Sequence, residues 1–296
     1  RYQIEEEIGR GGTAIVYRAR DLTLGSLVAI KRLAPHLAQD QEAVARLKTE
    51  MLATRPIVSE TVARVYEFVE EEERAFIVME FGPTGTLRDH LLVHGPLNAQ
   101  QLDRVMEQMA EALVACHEKG ILHRDLKPSN LLFDPVTAGI KLIDFGVAQV
   151  SLAAGFDTVG SVVGTPEYMA PEQFGDIVPD PRSDLYSTGV LLYEAATGRR
   201  PISGRTLPQV IRAHQEGVYP RPREIAPKVG EGAEMAILRL MAKDPAERFQ
   251  TADEFASFLN ARGSKEPAEI QAPSPACPAC SSPREPGLPF CPMCGV

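Results

Sequence analysis

Apolar positions change their period along this chain. Up to about residue 81 they fall in short runs rich in β-branched residues: AIVYRAR (14–20), SLVAIKRL (26–33), TVARVYEFV (61–69) and RAFIVMEF (74–81). Runs of this length, bounded by polar turns, predict strands. The last two flank the acidic run Glu70 to Glu73, which predicts a hairpin with a solvated turn. Between the second and third runs lies QEAVARLKTEMLA (41–53), where Val44, Leu47, Met51 and Leu52 mark a helical face.

After PTGT (83–86) the texture becomes helical. LNAQQLDRVMEQMAEALVACHEKG (97–120) sets Leu102, Val105, Met106, Met109, Leu113 and Cys116 on one stripe, with Gly120 placed to cap the end. The stripe reads as plain core, and Cys116 on it as a small buried hydrophobe. From about 183 to 263 the pattern is again mostly helical, clearest in SDLYSTGVLLYEAATG and AEMAILRLMAKDP. A β-rich lobe over about 1–81 and a helical lobe over about 87–262 are therefore expected. SKEPAEIQAPSPA (264–276) is rich in Pro, Ala and charge and reads as an extended linker within 263–276.

Composition sharpens this only a little. The chain has 296 residues, 44% hydrophobic and 24% charged, enough apolar mass for a sizeable core. A net charge of −9 speaks against non-specific nucleic-acid binding and against an anionic membrane surface, though not against a small anionic ligand held in a local patch. No apolar run reaches the roughly 18 residues of a membrane span. The opening RYQIEEEIG lacks Met and the basic start of a signal peptide, so the chain reads as an excerpt whose parent could carry an anchor elsewhere. The expected compartment is the cytoplasm. Four of the five cysteines crowd into the last 20 residues, which points to a local metal site rather than a disulfide framework.

Two stretches carry candidate chemistry in the first lobe. GRGGTAIV (9–16) lies between two predicted strands, where glycines let backbone N–H groups close over phosphate oxygens. Alone it is equally a glycine-rich hairpin turn, and Ala14 stands where a third glycine would complete G-x-G-x-x-G. A Rossmann site would place a helix after the glycines, and here the chain continues as strand. VAIK (28–31) then sets Lys31 in an apolar strand, where a point cation suits phosphates. Such a lysine needs an acidic partner. Glu50 on the following helix is the candidate and Glu42, two turns earlier, the fallback.

HRDLKPSN (123–130) packs a basic pair, an acid, a second base and an amide into eight residues, and IDFG follows at 143–146. GRGGTAIV, VAIK, HRDLKPSN, DFG and APE (170–172), in that order, resemble the protein kinase signature set over about residues 1–262. In detail the chain resembles a bacterial, eukaryotic-like Ser/Thr protein kinase, with Lys127 in the loop as in the Ser/Thr branch.

The resemblance implies an α+β bilobal fold and transfer of the ATP γ-phosphate to protein Ser/Thr hydroxyls. Asp125 would take the substrate proton and Lys127 would neutralise the γ-phosphate, while Asn130 and Asp144 would hold Mg²⁺. Gly9, Arg10, Gly11, Gly12, Thr13, Ala14, Val16, Ala29, Lys31, Glu50, Met79 and Glu80 would line the ATP site. His123 and Phe145 would stack in an internal spine, Asp184 would hydrogen-bond the catalytic loop, and Glu172 and Arg248 would form a buried ion pair. Arg124 implies regulation by a phosphate on the activation segment, with Thr158 and Ser161 as acceptors, each also readable as a plain loop hydroxyl. Thr165 would instead contact the catalytic loop. A homodimer would serve autophosphorylation. Thr86 stands where some arginine-directed relatives carry an acid, so a basic-substrate preference has no support.

At the end of the chain, Cys277, Cys280, Cys291 and Cys294 form two C-x₂-C pairs ten residues apart, a spacing that suits one structural Zn²⁺ in a ribbon over 277–296. A redox pair is the rival, but neither pair sits at an activating helix start. Two further readings stay open. One is a pseudokinase scaffold, against which the retained Lys31, Glu50, Asp125, Lys127, Asn130 and Asp144 speak. The other makes the zinc tail a protein-binding module that the kinase regulates.

Overall fold

The computed structural model describes residues 1–37, 40–71, 74–83, 85–145, 165–175 and 178–263. Thr158, Ser161, Gly146 and the four tail cysteines lie outside the described residues. Residues Arg1–Leu259 form one compact unit, and Asn260–Val296 a second, of which only 260–263 are described.

The expected strands form. β1 (Tyr2–Arg10), β2 (Ala14–Asp21), β3 (Leu27–Leu33), β4 (Val65–Glu71) and β5 (Arg74–Glu80) build one antiparallel sheet in the order β1-β2-β3-β5-β4. β3 sits at its centre, which explains its apolar run: Val28, Ala29 and Ile30 are all buried. Helix α1 (Gln41–Thr54) starts where Asp40 accepts hydrogen bonds from the Glu42 and Ala43 N–H groups. It packs on the sheet through Ala43, Leu47 and Met51. Leu52, expected on that face, is 56% exposed. It directly follows Met51, and the roughly 100° between successive helical residues carries it off the packed stripe.

The second lobe is helical: α2 (Leu87–His94), α3 (Ala99–His117), a two-stranded ribbon of β6 (Leu131–Phe133) and β7 (Ile140–Leu142), then α4 (Pro181–Thr197), α5 (Leu207–Glu216), α6 (Pro222–Ile225), α7 (Glu231–Leu240) and α8 (Ala252–Gly263). Capping boxes at Thr86/Asp89 and Asn98/Gln101 start α2 and α3. The α3 stripe is core as expected, with Leu102, Val105, Met106, Met109, Leu113 and Cys116 all buried. Burial pushes the Cys116 thiol up to about 12, so it is inert. Helix α4 is buried nearly throughout and ends at Gly198, whose φ of 69° is left-handed. Among the described residues no helix is long and apolar enough to cross a membrane.

Candidate active site

Gly11 and Gly12 make the turn between β1 and β2, with Gly11 N–H donating to Ala14 O at 2.9 Å. Ala14 begins β2 and is buried, so its methyl group packs inward. Gly9 pairs with Val16, and Arg10 is bound to Glu7. Thr13 O accepts from Ala34 N, which ties the turn to the end of β3. On β3, Lys31 pairs with Val16 on one side and Ile77 on the other, and Ala29 pairs with Met79. The Glu80 carboxylate is taken by Lys141 at 2.8 Å.

Lys31 reaches two carboxylates at once. Its Nζ donates to Glu50 Oε1 at 2.8 Å and to Asp144 Oδ1 at 2.9 Å. Glu42 is exposed at the far end of the helix, so Glu50 is the partner. Burial alone would push the Lys31 pKa down, but the Asp144 and Glu50 charges more than offset it, so the ammonium is held above its ordinary range. Burial likewise opposes the Asp144 charge, and Lys31 overrides it and holds that carboxyl low. The Glu50 carboxyl is pushed up by burial and by the like charge on Asp144, against the pull of Lys31.

The loop from His123 to Asn130 is held from below by Asp184 of α4. The buried Asp184 carboxylate accepts from His123 N at 2.8 Å, from Arg124 N at 2.9 Å, and contacts His117 Nε2 at 3.0 Å. This fixes Arg124 in a left-handed conformation with φ 66°, and Asp144 is left-handed too at φ 58°. Each such residue stores about 1–3 kcal/mol, which the surrounding bonds must sustain. The His123 ring donates through Nε2 to Ile143 O (3.0 Å), accepts at Nδ1 from Asp125 N (3.3 Å), and stacks on Phe145 at 4.5 Å. Burial lowers its pKa, so it stays neutral.

Above this support the polar groups converge. Lys127 Nζ donates to Asp125 Oδ2 at 2.6 Å and to Thr165 Oγ1 at 3.2 Å. Asn130 Nδ2 donates to Asp125 O at 2.8 Å and Asp125 Oδ2 at 3.0 Å, and comes within 3.4 Å of Asp144 O. The amide therefore spends its N–H groups on Asp125 and the Asp144 backbone, and its carbonyl oxygen is a hard ligand atom not used in these bonds. Arg124 Nε is buried and has no hydrogen-bond partner among the described residues.

The segment beyond Thr165 is tethered by residues that sequence reading passed over. His214 of α5 donates through Nε2 to Pro166 O at 2.8 Å and accepts at Nδ1 from the Tyr186 hydroxyl at 2.9 Å. It is 1% exposed, and burial brings its pKa down to about 4. The Tyr168 hydroxyl donates to Glu194. His117, the third ligand of Asp184, was also missed. The only available signal was position: His214 falls one turn after the buried Val210 on α5.

Comparison with known proteins agrees with this geometry. The model of the family described as "Protein kinase domain" matches residues 2–258. The serine/threonine-protein kinase PrkC of Bacillus subtilis is 35% identical over 86% of this chain and 39% of its own length. PknL of Mycobacterium tuberculosis is 33% identical over 88% of this chain and 65% of its own. Among solved structures, that of Rad53 1-466 in complex with AMP-PNP matches with a TM-score of 0.72 and 27% identity, over 87% of this chain and 65% of that one. The chain thus spans about two fifths of the length of the PrkC it matches.

Proposed function

The chain belongs to the protein kinase domain family, and on that footing we propose that it transfers the γ-phosphate of ATP to serine and threonine hydroxyls of protein substrates. The observation that carries this reading is Lys31, whose ammonium joins Glu50 of the first lobe to Asp144 of the second within 3 Å of each. Phosphoryl transfer needs position and charge neutralisation more than covalent chemistry. Asp125 orients the acceptor hydroxyl and takes its proton. Lys127, already bonded to Asp125, balances charge developing on the γ-phosphate. Lys31 steadies the inner phosphates, and the turn over residues 9–14 covers them, with Val16, Ala29, Met79 and Glu80 around the rest of the nucleotide.

The donors fit magnesium. An amide oxygen of Asn130 and the carboxylate of Asp144 are hard oxygen ligands of the type that Mg²⁺ takes together with phosphate and water. Held by these two residues, Mg²⁺ would supply charge neutralisation at the phosphates.

Regulation follows from Arg124. A buried guanidinium nitrogen without a partner among the described residues supports pairing with a phosphate on Thr158 or Ser161, added by a second copy of the chain in a transient homodimer. The proposed layout is a kinase domain over 1–262, a linker over 263–276 and a ribbon over 277–296, in which Cys277, Cys280, Cys291 and Cys294 hold a structural Zn²⁺. The cysteine spacing supports this last assignment. The proposed compartment is the cytoplasm.

The test is incubation of the purified chain with labelled ATP and Mg²⁺. Labelled phosphoserine or phosphothreonine is expected, and Asp125→Asn should abolish it while circular dichroism stays unchanged. Full labelling by that variant would remove Asp125 from its assigned role.

A further inference from the structure

A cavity of about 310 Å³ opens beside the catalytic loop, walled by Arg88, Leu92, Lys127, Tyr168, Glu194 and Arg200 among others. Lys127 joins it to the chemistry, since its ammonium contacts both Asp125 and Thr165. A side chain entering this cavity would therefore belong to a polypeptide whose acceptor hydroxyl lies at Asp125. The cavity rests on the phosphoryl-transfer reading and adds to it a preference among substrates.

Its charge runs against that of the molecule. The whole chain carries −9, yet three basic side chains face this cavity and one carboxylate does. The excess is written locally: between Glu194 and Glu216 the chain has Arg199, Arg200, Arg205 and Arg212 and no Asp or Glu. Of these Arg200 lines the cavity, while Arg212 is bound to Glu216.

The single carboxylate is already committed. Glu194 accepts the Tyr168 hydroxyl. Burial pushes its pKa up, and the Tyr168 bond and the charges of Arg200 and Arg88 work the other way. An incoming lysine or arginine would meet two guanidinium groups and a carboxylate that has its donor.

The cations, by contrast, are available. Arg200 is paired with Glu167 at 3.1 Å, but the two side chains are 43% and 20% exposed, and a pair of that kind contributes little and exchanges readily. Arg88 is exposed at the start of α2 and makes no ion pair among the described residues. Leu92, 74% exposed, offers an apolar shelf for the methylene groups of a long side chain. Ser129, which also lines the cavity, adds no negative charge.

We infer that this cavity receives an anionic side chain of the protein substrate, an aspartate, a glutamate or a phosphorylated residue, close to the acceptor hydroxyl. Guanidinium groups suit both carboxylate and phosphate because their planar fork donates two parallel hydrogen bonds.

The experiment uses the full chain with ATP, Mg²⁺ and synthetic peptides that carry one acceptor threonine. Flanking positions are scanned with alanine, glutamate, phosphoserine or lysine. At one flanking position at least, glutamate should raise kcat/KM over alanine by about five- to tenfold, the scale of one or two partly exposed ion pairs. Lysine should lower it. The gain should lie in KM and shrink as salt is raised, because the pairs are solvent-facing. In Arg88→Ala/Arg200→Ala the glutamate-to-alanine ratio should fall toward one, and Arg88→Glu should turn the order in favour of lysine. A larger gain with phosphoserine than with glutamate would identify a previously phosphorylated substrate as the source of the anion. Equal gains would identify an ordinary acidic sequence. Either supports the assignment. Equal wild-type rates on the glutamate and alanine series, or a ratio unchanged in the double variant, would overturn it while leaving the kinase reading intact. Failure of the wild type on every peptide and on itself would overturn both.

Discussion

Arg248 is completely buried, and each of its guanidinium N–H groups is used. Nε donates to Ala242 O at 2.8 Å. Nη1 donates to Glu172 Oε1 at 2.7 Å and Arg182 O at 3.0 Å. Nη2 donates to Glu172 Oε2 at 2.9 Å and Lys243 O at 3.1 Å. The group also lies 4.8 Å from the Tyr186 ring centre. Arg248→Ala strips all five bonds, removes one donor from each of three backbone carbonyls, and leaves the Glu172 carboxylate without its cation, although the Ser183 hydroxyl still donates to it. Breaking one side of such a pair costs about 3–5 kcal/mol. A domain is stable by only about 5–15 kcal/mol, so the variant should be near the edge of folding.

The asymmetry of the pair is the stricter test. Urea denaturation of wild type, Arg248→Ala, Glu172→Ala and the paired replacement Glu172→Leu/Arg248→Met should show both single variants losing several kcal/mol and the pair losing much less, because no bare charge remains. The pH dependence has a definite sign. Burial pushes the Glu172 carboxyl up, and the Arg248 bonds and charge more than offset this, so its folded pKa lies below the ordinary 4.5. Its contribution is therefore present above pH 4.5 and lost as pH falls through the lower folded value. A loss below about 1 kcal/mol in Arg248→Ala would mean that the pair is not the buried clamp described.

His214 binds a proton less readily folded than unfolded, with its pKa brought from 6.5 to about 4, so stability should fall by up to about 3 kcal/mol between those values as the solution is acidified. His214→Gln should flatten that limb of the profile, and by freeing Pro166 it should raise KM for protein substrate well beyond any change in KM for ATP. For the tail, metal analysis of the full chain should find one zinc, lost in Cys277→Ser/Cys280→Ser. Deleting 264–296 should leave autophosphorylation in place if the ribbon is a docking element.

Local patterning determined a great deal about this protein. Strand and helix periods are properties of neighbouring residues, and so are capping boxes such as Thr86/Asp89 and the order of the five motifs. Those features predicted the sheet, the α3 core stripe and the residues grouped around Asp125. Packing decided the rest. Glu50 and Glu42 lie on the same helix about 12 Å apart along its axis, and only docking of α1 on β3 selects between them. Leu52 belongs to an apolar pattern, yet faces solvent because the helical turn after Met51 carries it off the packed stripe. The His214 tether, His117 on Asp184 and the arginine-lined cavity each join residues tens of positions apart. A linear reading weighs near neighbours, whereas hydrogen bonds and charge obey distances in space, and those exist only once the chain has folded.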